Sequence, residues 1–177
     1  MDQTSLGDRF VIEARHQLDA SVGLIWHCLN QLDESQVWWR PRQDMNSVGN
    51  LLLHLAGNLK QRFGSILGGK PDNRDRFGEF TERNPIPKRD LLRRFEETAG
   101  CADEILAGLT PERLGETCRY ELLAGTTEKS VLGVVLQTLT HLSGHAQEIL
   151  HLTRTQLGNS YNFRQPAGVP PRLGGSR

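Results

Sequence analysis

The sequence predicts an all-α protein, an antiparallel bundle of four helices. Three observations carry this. Four long segments place apolar residues at alternating steps of three and four, cap or stop residues bound them, and there is at most a trace of strand-like sequence. The connections are long enough to cross the end of a bundle. At 177 residues the chain suits one domain, expected over 1–157, with an apolar core that needs no staples.

The first helix is read between Phe10 and Leu32, from the stripe Val11, Ala14, Leu18, Val22, Ile25, Leu29 and Leu32. It should end near Asp33 to Ser35. Trp38-Trp39-Arg40-Pro41 then forms a connection, because the residue before a proline is pushed out of the helical region. Asn46 or Ser47 can cap a second helix with the stripe Val48, Leu52, Leu55, Leu59, Phe63 and Ile66, stopped by Gly68-Gly69 and Pro71. Residues 70 to 87 are polar and charged and close with Pro85 and Pro87, a long loop of the kind that is either disordered or functional.

The third helix carries Leu91, Leu92, Phe95, Ala99, Ala102, Ile105, Leu106 and Leu109 on one side and Arg89, Arg93, Glu96, Glu97 and Glu104 on the other, with Pro111 marking its end. Between 112 and 129 the pattern is weak. Thr117 to Leu122 suits a short extended segment before an Ala124-Gly125 turn. The fourth helix, Ser130 to Leu157, is apolar almost all round its first half, which predicts a buried helix with its histidines indoors. Gly158 ends it. The tail 158–177, through Pro166, Pro170, Pro171 and Gly174-Gly175, is too rich in Gly and Pro to pack as an element.

Composition excludes several function classes. The 21 basic and 21 acidic residues are interspersed and cancel, so nothing marks a surface for phosphate backbones or anionic lipid; neither nucleic acid nor a membrane is an expected partner. No apolar run approaches the ~20 residues needed to span a bilayer, and Met1-Asp2-Gln3-Thr4 is not followed by the basic and apolar stretches expected of a signal peptide. Cys28, Cys101 and Cys118 are odd in number, far apart and without a C-x-x-C pair, which suits a reducing compartment. A cytoplasmic protein is the expectation.

His141 and His145 stand four apart on the fourth helix, so their rings lie on adjacent turns of one face, a spacing that can chelate a metal. Chance alone supplies roughly 0.2 such pairs in a chain of this histidine content, so the pair needs support from its surroundings. It lies on an apolar helix, where two imidazoles need a reason to be together, and His54 sits midway along another apolar helix. Glu148 shares the face of His141, Gln137 precedes it by a turn, and Asn58 follows His54 by a turn; each could orient a ring nitrogen.

The segments Asn46-Ser47-Val48-Gly49-Asn50-Leu51-Leu52-Leu53-His54-Leu55-Ala56-Gly57-Asn58 and Thr140-His141-Leu142-Ser143-Gly144-His145-Ala146-Gln147 resemble the two metal-binding helices of the DinB-like (YfiT-like) superfamily. Arg74-Asp75-Arg76-Phe77-Gly78-Glu79-Phe80 is similar to a pattern in one branch of that group. The resemblance covers the chain to about Leu157. It implies a four-helix bundle of non-sequential helix order, often a homodimer, with His54, His141 and His145 binding one divalent ion, nickel or zinc first among candidates. Characterised relatives include thiol S-transferases and a thiol-dependent isomerase that use low-molecular-weight thiols. Glu148 stands where relatives more often have an aliphatic residue, so it reads as an orienting carboxylate, an acid-base group or a solvated side chain.

Plainer readings stand beside these. His54 alone would be a hydrogen-bonded core histidine, and His16, His27 and His151 are taken as ordinary helix residues. Trp38 and Trp39 cap a core more simply than they line a pocket. Arg74, Asp75, Arg76 and Glu79 are either a substrate-facing lid or solvated loop charges. No cysteine has a partner that would lower its pKa, and Ser143 is off the histidine face, so no nucleophile is assigned. Three histidines leave coordination positions open. The expected function is therefore a metal-dependent transferase using a low-molecular-weight thiol and a small electrophile. The alternatives are a metal-dependent hydrolase and a non-catalytic metal-binding or dimeric interaction protein.

Overall fold

The computed structural model describes residues 5–122 and 125–164, and within them each of the four apolar stripes lies on a helix except for Leu32 and Leu109, which fall just past the ends of theirs. Helix α1 spans Leu6–Leu29; it starts earlier than its stripe because Ser5 and Asp8 form a reciprocal capping box. Helix α3 spans Val48–Leu59, capped by Ser47 and Asn50, and runs on as a π-helix over Lys60–Leu67. Helix α5 spans Lys88–Ala107, and helix α7 spans Val131–Leu157 with Ser130 as its N-cap. Gly158 ends α7 with a φ of 51°, a conformation that favours glycine.

The protein is mostly helical, and the sequence reading missed its shorter elements. Helix α2, Glu34–Trp38, occupies the first connection, opened by an Asp33–Gln36 capping box; Pro41 lies beyond it. Helix α4, Arg76–Thr81, sits inside the expected 70–87 loop, with Asp75 accepting from the Gly78 amide. Helix α6, Pro111–Gly115, begins at the proline read as a stop, since proline suits the first turn of a helix. Strand β1, Thr117–Leu122, is the expected extended segment, and it pairs antiparallel with an unexpected β2, Gly125–Ser130, in the register Thr117↔Ser130 to Leu122↔Gly125. The continuous polar run Thr126, Thr127, Glu128 and Lys129 hid β2, because the apolar side chains of the ribbon's half-buried face, Cys118, Tyr120 and Leu122, all come from β1. Ala124 of the expected turn lies outside the described residues.

Helix α1 packs on α5 and α7, and α3 packs on the same two helices. Ile25, Leu29, Leu55, Phe95, Leu106 and Ile149 are fully buried between them, each contributing about 1.5–3 kcal/mol of transfer free energy. Trp38 is buried as expected, flat against Gly49, with its indole donating to the Ile86 carbonyl at 3.0 Å. Trp39 is 38% exposed. The first residues past α7 fold back onto α1: Tyr161 is buried, and His27 Nε2 donates to the Asn162 carbonyl at 2.8 Å. Residues 165–177, most of the expected tail, lie outside the described part. Among the described residues no helix is long and apolar enough to cross a membrane.

Candidate metal centre

Packing of α3 on α7 brings three histidines together. His54 is 3% exposed, whereas His141 and His145 are half-buried, less enclosed than the apolar run before them suggests; Leu132 and Leu136 of that run are exposed. The ring centroids lie 5.0 Å (His54–His141), 5.1 Å (His54–His145) and 4.5 Å (His141–His145) apart. One nitrogen from each falls within 4.8 Å of the other two, a grouping that could hold a metal ion. His54 Nε2 and His141 Nε2 are 2.9 Å apart, whereas two imidazole nitrogens on one tetrahedral ion stand about 3.3 Å apart. A change of a few tenths of an ångström separates the pair from ligand spacing.

The buried pair Arg74 and Glu79 fixes His54. The Arg74 guanidinium donates to both carboxylate oxygens, Nε to Oε1 at 2.7 Å and Nη2 to Oε2 at 2.8 Å, the fork geometry of a strong pair. Glu79 Oε2 lies 3.0 Å from His54 Nδ1, and Arg74 Nη2 lies 3.1 Å from the same nitrogen. Both cannot be hydrogen bonds of one tautomer. We assign the proton to Nδ1, donating to Glu79, because the carboxylate only accepts and the Nε2 lone pair is then free to face His141. Burial by itself pushes the Glu79 carboxyl up, but hydrogen bonds from Arg74 and His54 and their charges outweigh it and hold the group below its ordinary value.

This arrangement depends on Gly57. A Cβ there would lie 1.9 Å from Glu79 Oε1 and 3.1 Å from Arg74 Nε, so only a bare helix surface admits the ion pair. Asn50 anchors the segment from the other side, donating to the carbonyls of Glu79 and Glu82 at 3.0 and 3.1 Å. Phe80 covers the His54 ring at a centroid distance of 4.6 Å.

On α7, His145 Nδ1 is held by Glu148 Oε2 at 2.8 Å. Glu148 is thus a partner of His145 although its side chain is 42% exposed. Burial, then the charges of His145, His54, Arg74 and Arg62, lower the His141 pKa to about 4, so its imidazole is neutral near pH 7 and keeps a lone pair for a metal. Of the other candidate orienting groups, Gln137 instead accepts from Lys129 Nζ at 2.7 Å, and Asn58 is buried at the wall of the adjoining cavity.

That cavity has a volume of about 1210 Å³. His54 and His141 line it, together with Arg62 of the π-helix, Arg76 and Phe77 of α4, and Lys129 of β2. It is somewhat larger than the ~300–1,000 Å³ usual for small-molecule pockets and is open to solvent, with room for a small molecule beside the two histidines. Neither Trp38 nor Trp39 lines it. Cys28 is buried, which raises its thiol pKa, and Cys101 and Cys118 are half-buried free thiols.

Residues 5–165 match the family described as Protein of unknown function (DUF1572). The chain belongs to this family. No curated protein matches it. The DUF1572 match spans every element from α1 to the segment beyond α7, so all three histidines and Glu79 lie inside it.

In this DUF1572 member the sequence alone could group the histidines by helix and face, but it left Arg74 and Glu79 as either lid or solvated charges. Both are 8% exposed at the side chain. Arg76 belongs to the cavity wall, and Asp75 is a helix cap. The signal for Glu79 was the glycine three residues after His54, which leaves room on α3 for a buried partner.

Proposed function

We propose that the protein is a divalent-metal-dependent enzyme of the DinB-like kind, a four-helix bundle in which His54, His141 and His145 hold one nickel or zinc ion. The supporting observation is the convergence of three imidazoles, two of them tied at Nδ1 to carboxylates, beside a cavity of about 1210 Å³. A divalent ion bound by three histidines keeps open positions and supplies Lewis acidity, stabilising a thiolate or polarising an electrophile. Histidine ligands with a carboxylate behind them are a recurrent arrangement in metal sites.

The chain's own groups do the positioning. Glu79 holds the Nδ1 proton of His54 and presents Nε2; Arg74 keeps Glu79 ionised; Phe80 shields the ring from water. Glu148 does the same for His145 from the more open side. The reaction we favour is transfer of a low-molecular-weight thiol to a small electrophile: the sulfur forms a bond to carbon, the leaving group departs with the electron pair, and the thiol proton passes to solvent. We take the working form to be a cytoplasmic homodimer. A hydrolase would use the same residues with water in place of the thiol.

The test is the rate at which nickel- and zinc-loaded protein catalyses displacement of chloride from monochlorobimane by cysteine. Turnover that needs both thiol and metal, and that is lost in His141→Ala, supports the transferase. Thiol-independent ester or amide cleavage by the loaded protein moves the assignment to a hydrolase. Stoichiometric metal with neither activity leaves a non-catalytic metal protein.

A further inference from the structure

The geometry points to Arg62 as a recognition site for an oxyanion, a carboxylate or phosphate group on the small molecule that occupies the cavity. This deepens the function proposed above and rests on it, since the anion would belong to that site's substrate.

Arg62 lies on the π-helix that continues α3, in the cavity wall it shares with His54 and His141. Such π-segments recur at functional sites, where the altered winding re-aims side chains. Its Nη1 is buried without a hydrogen-bond partner. The guanidinium lies over the Tyr120 ring of β1 at 5.4 Å from the centroid, and Tyr120 Oη is likewise buried and unpartnered. Burial of such donors is unfavourable unless something accepts from them. Stacking on an aromatic face holds the guanidinium in position while leaving its fork free.

The cavity's own carboxylates do not fill that role. Asp72 accepts from Gln61 Nε2 at 2.7 Å and from the Arg74 amide at 3.1 Å. Asp75 caps α4 through the Gly78 amide at 2.9 Å, and Glu121 accepts from the Thr126 hydroxyl. Arg74, the neighbouring guanidinium, is committed to Glu79 and to Gln61 Oε1 at 2.9 Å. Arg62 thus has no ion pair among the described residues, although it stands in a cavity lined with acids. A half-buried guanidinium with an enclosed, unpaired N–H and no internal carboxylate is matched by an acceptor from outside. Arg prefers planar or tetrahedral oxyanions that take two N–H bonds at once.

The experiment titrates the 177-residue protein, both zinc-loaded and metal-free, with acetate, inorganic phosphate and chloride. The readout is the side-chain ¹H–¹⁵N resonance of Arg62, assigned by comparison with Arg62→Lys. A saturating shift with acetate or phosphate is expected, in the metal-free protein as well as the loaded one, and at least tenfold weaker binding by Arg62→Met measured by calorimetry. The tighter of acetate and phosphate names the anion class. Saturation in the metal-free protein separates this inference from the metal proposal, because zinc stoichiometry of the same samples is scored independently. Absence of a saturating shift with either oxyanion, or an equal response to chloride, overturns it. Since the resonance is read in the wild-type chain, a poorly folded variant does not remove the test.

Discussion

The Glu79 carboxylate accepts from His54 Nδ1 at 3.0 Å while both its oxygens are gripped by Arg74. A charge buried at the back of a histidine therefore sets the tautomer of the ring whose other nitrogen faces His141. Arg74 neutralises the acid, and the acid orients the imidazole. The ion pair is so placed that losing either member disturbs the three-histidine cluster without removing any of its imidazoles.

Replacing Glu79 by Gln should lower zinc or nickel affinity by about 10–100-fold, the usual cost of removing a carboxylate behind a ligating histidine. Glu148→Gln should cost less, because the Glu148 side chain is 42% exposed and water can take over its hydrogen bond. Competition with a calibrated chelator measures both. Equal effects of the two substitutions would mean that burial of the carboxylate is immaterial.

Two glycines give opposite expectations. Gly57→Ala puts a methyl 1.9 Å from Glu79 Oε1, so the ion pair must move; we expect a loss of about 1–3 kcal/mol together with weakened metal binding. Gly100→Ala, exposed on α5 with no atom within 4 Å of the added carbon, should gain about 0.5–1 kcal/mol from reduced chain entropy. Urea unfolding of the metal-free proteins checks the pair.

Stability should also fall in acid by way of Glu79. Its folded pKa is held below the ordinary 4.5, so its contribution is fully present above that value and disappears as pH falls through the lower folded one. In Glu79→Gln this part of the slope should be absent. Unfolding free energies of metal-free wild type and Glu79→Gln, measured in steps from about pH 6 to about pH 3, should converge as the pH falls. A constant difference across that window would show that the ionised carboxylate is not what Arg74 and His54 stabilise.

What could be read from the sequence follows from what each element buries. The four long helices showed themselves because each lays a continuous apolar stripe against the core, and the His141/His145 spacing is a property of one helix. Helices α2, α4 and α6 have five or six residues and are set by caps such as Asp33, Asp75 and Thr110, too short for periodicity to register. Strand β2 exposes polar side chains and offers no alternation of apolar residues. The partnership of Glu79 with His54 joins residues 25 apart across a glycine, and only tertiary packing tells a buried acid in such a segment from a solvated one. The cost of leaving Arg74 unpaired in the interior, about 3–5 kcal/mol for one broken buried pair, is a property of the folded chain alone.

The most direct test is the metal stoichiometry of protein purified without chelator or metal-affinity tag, then equilibrated with zinc or nickel, for wild type and for His54→Ala, His141→Ala and His145→Ala. The account predicts about one equivalent of ion in the wild type and its loss from each single variant, with the helical signal of circular dichroism retained. An undiminished equivalent in any of the three would remove that histidine from the site. A wild-type protein that takes up no metal under loading would contradict the account as a whole.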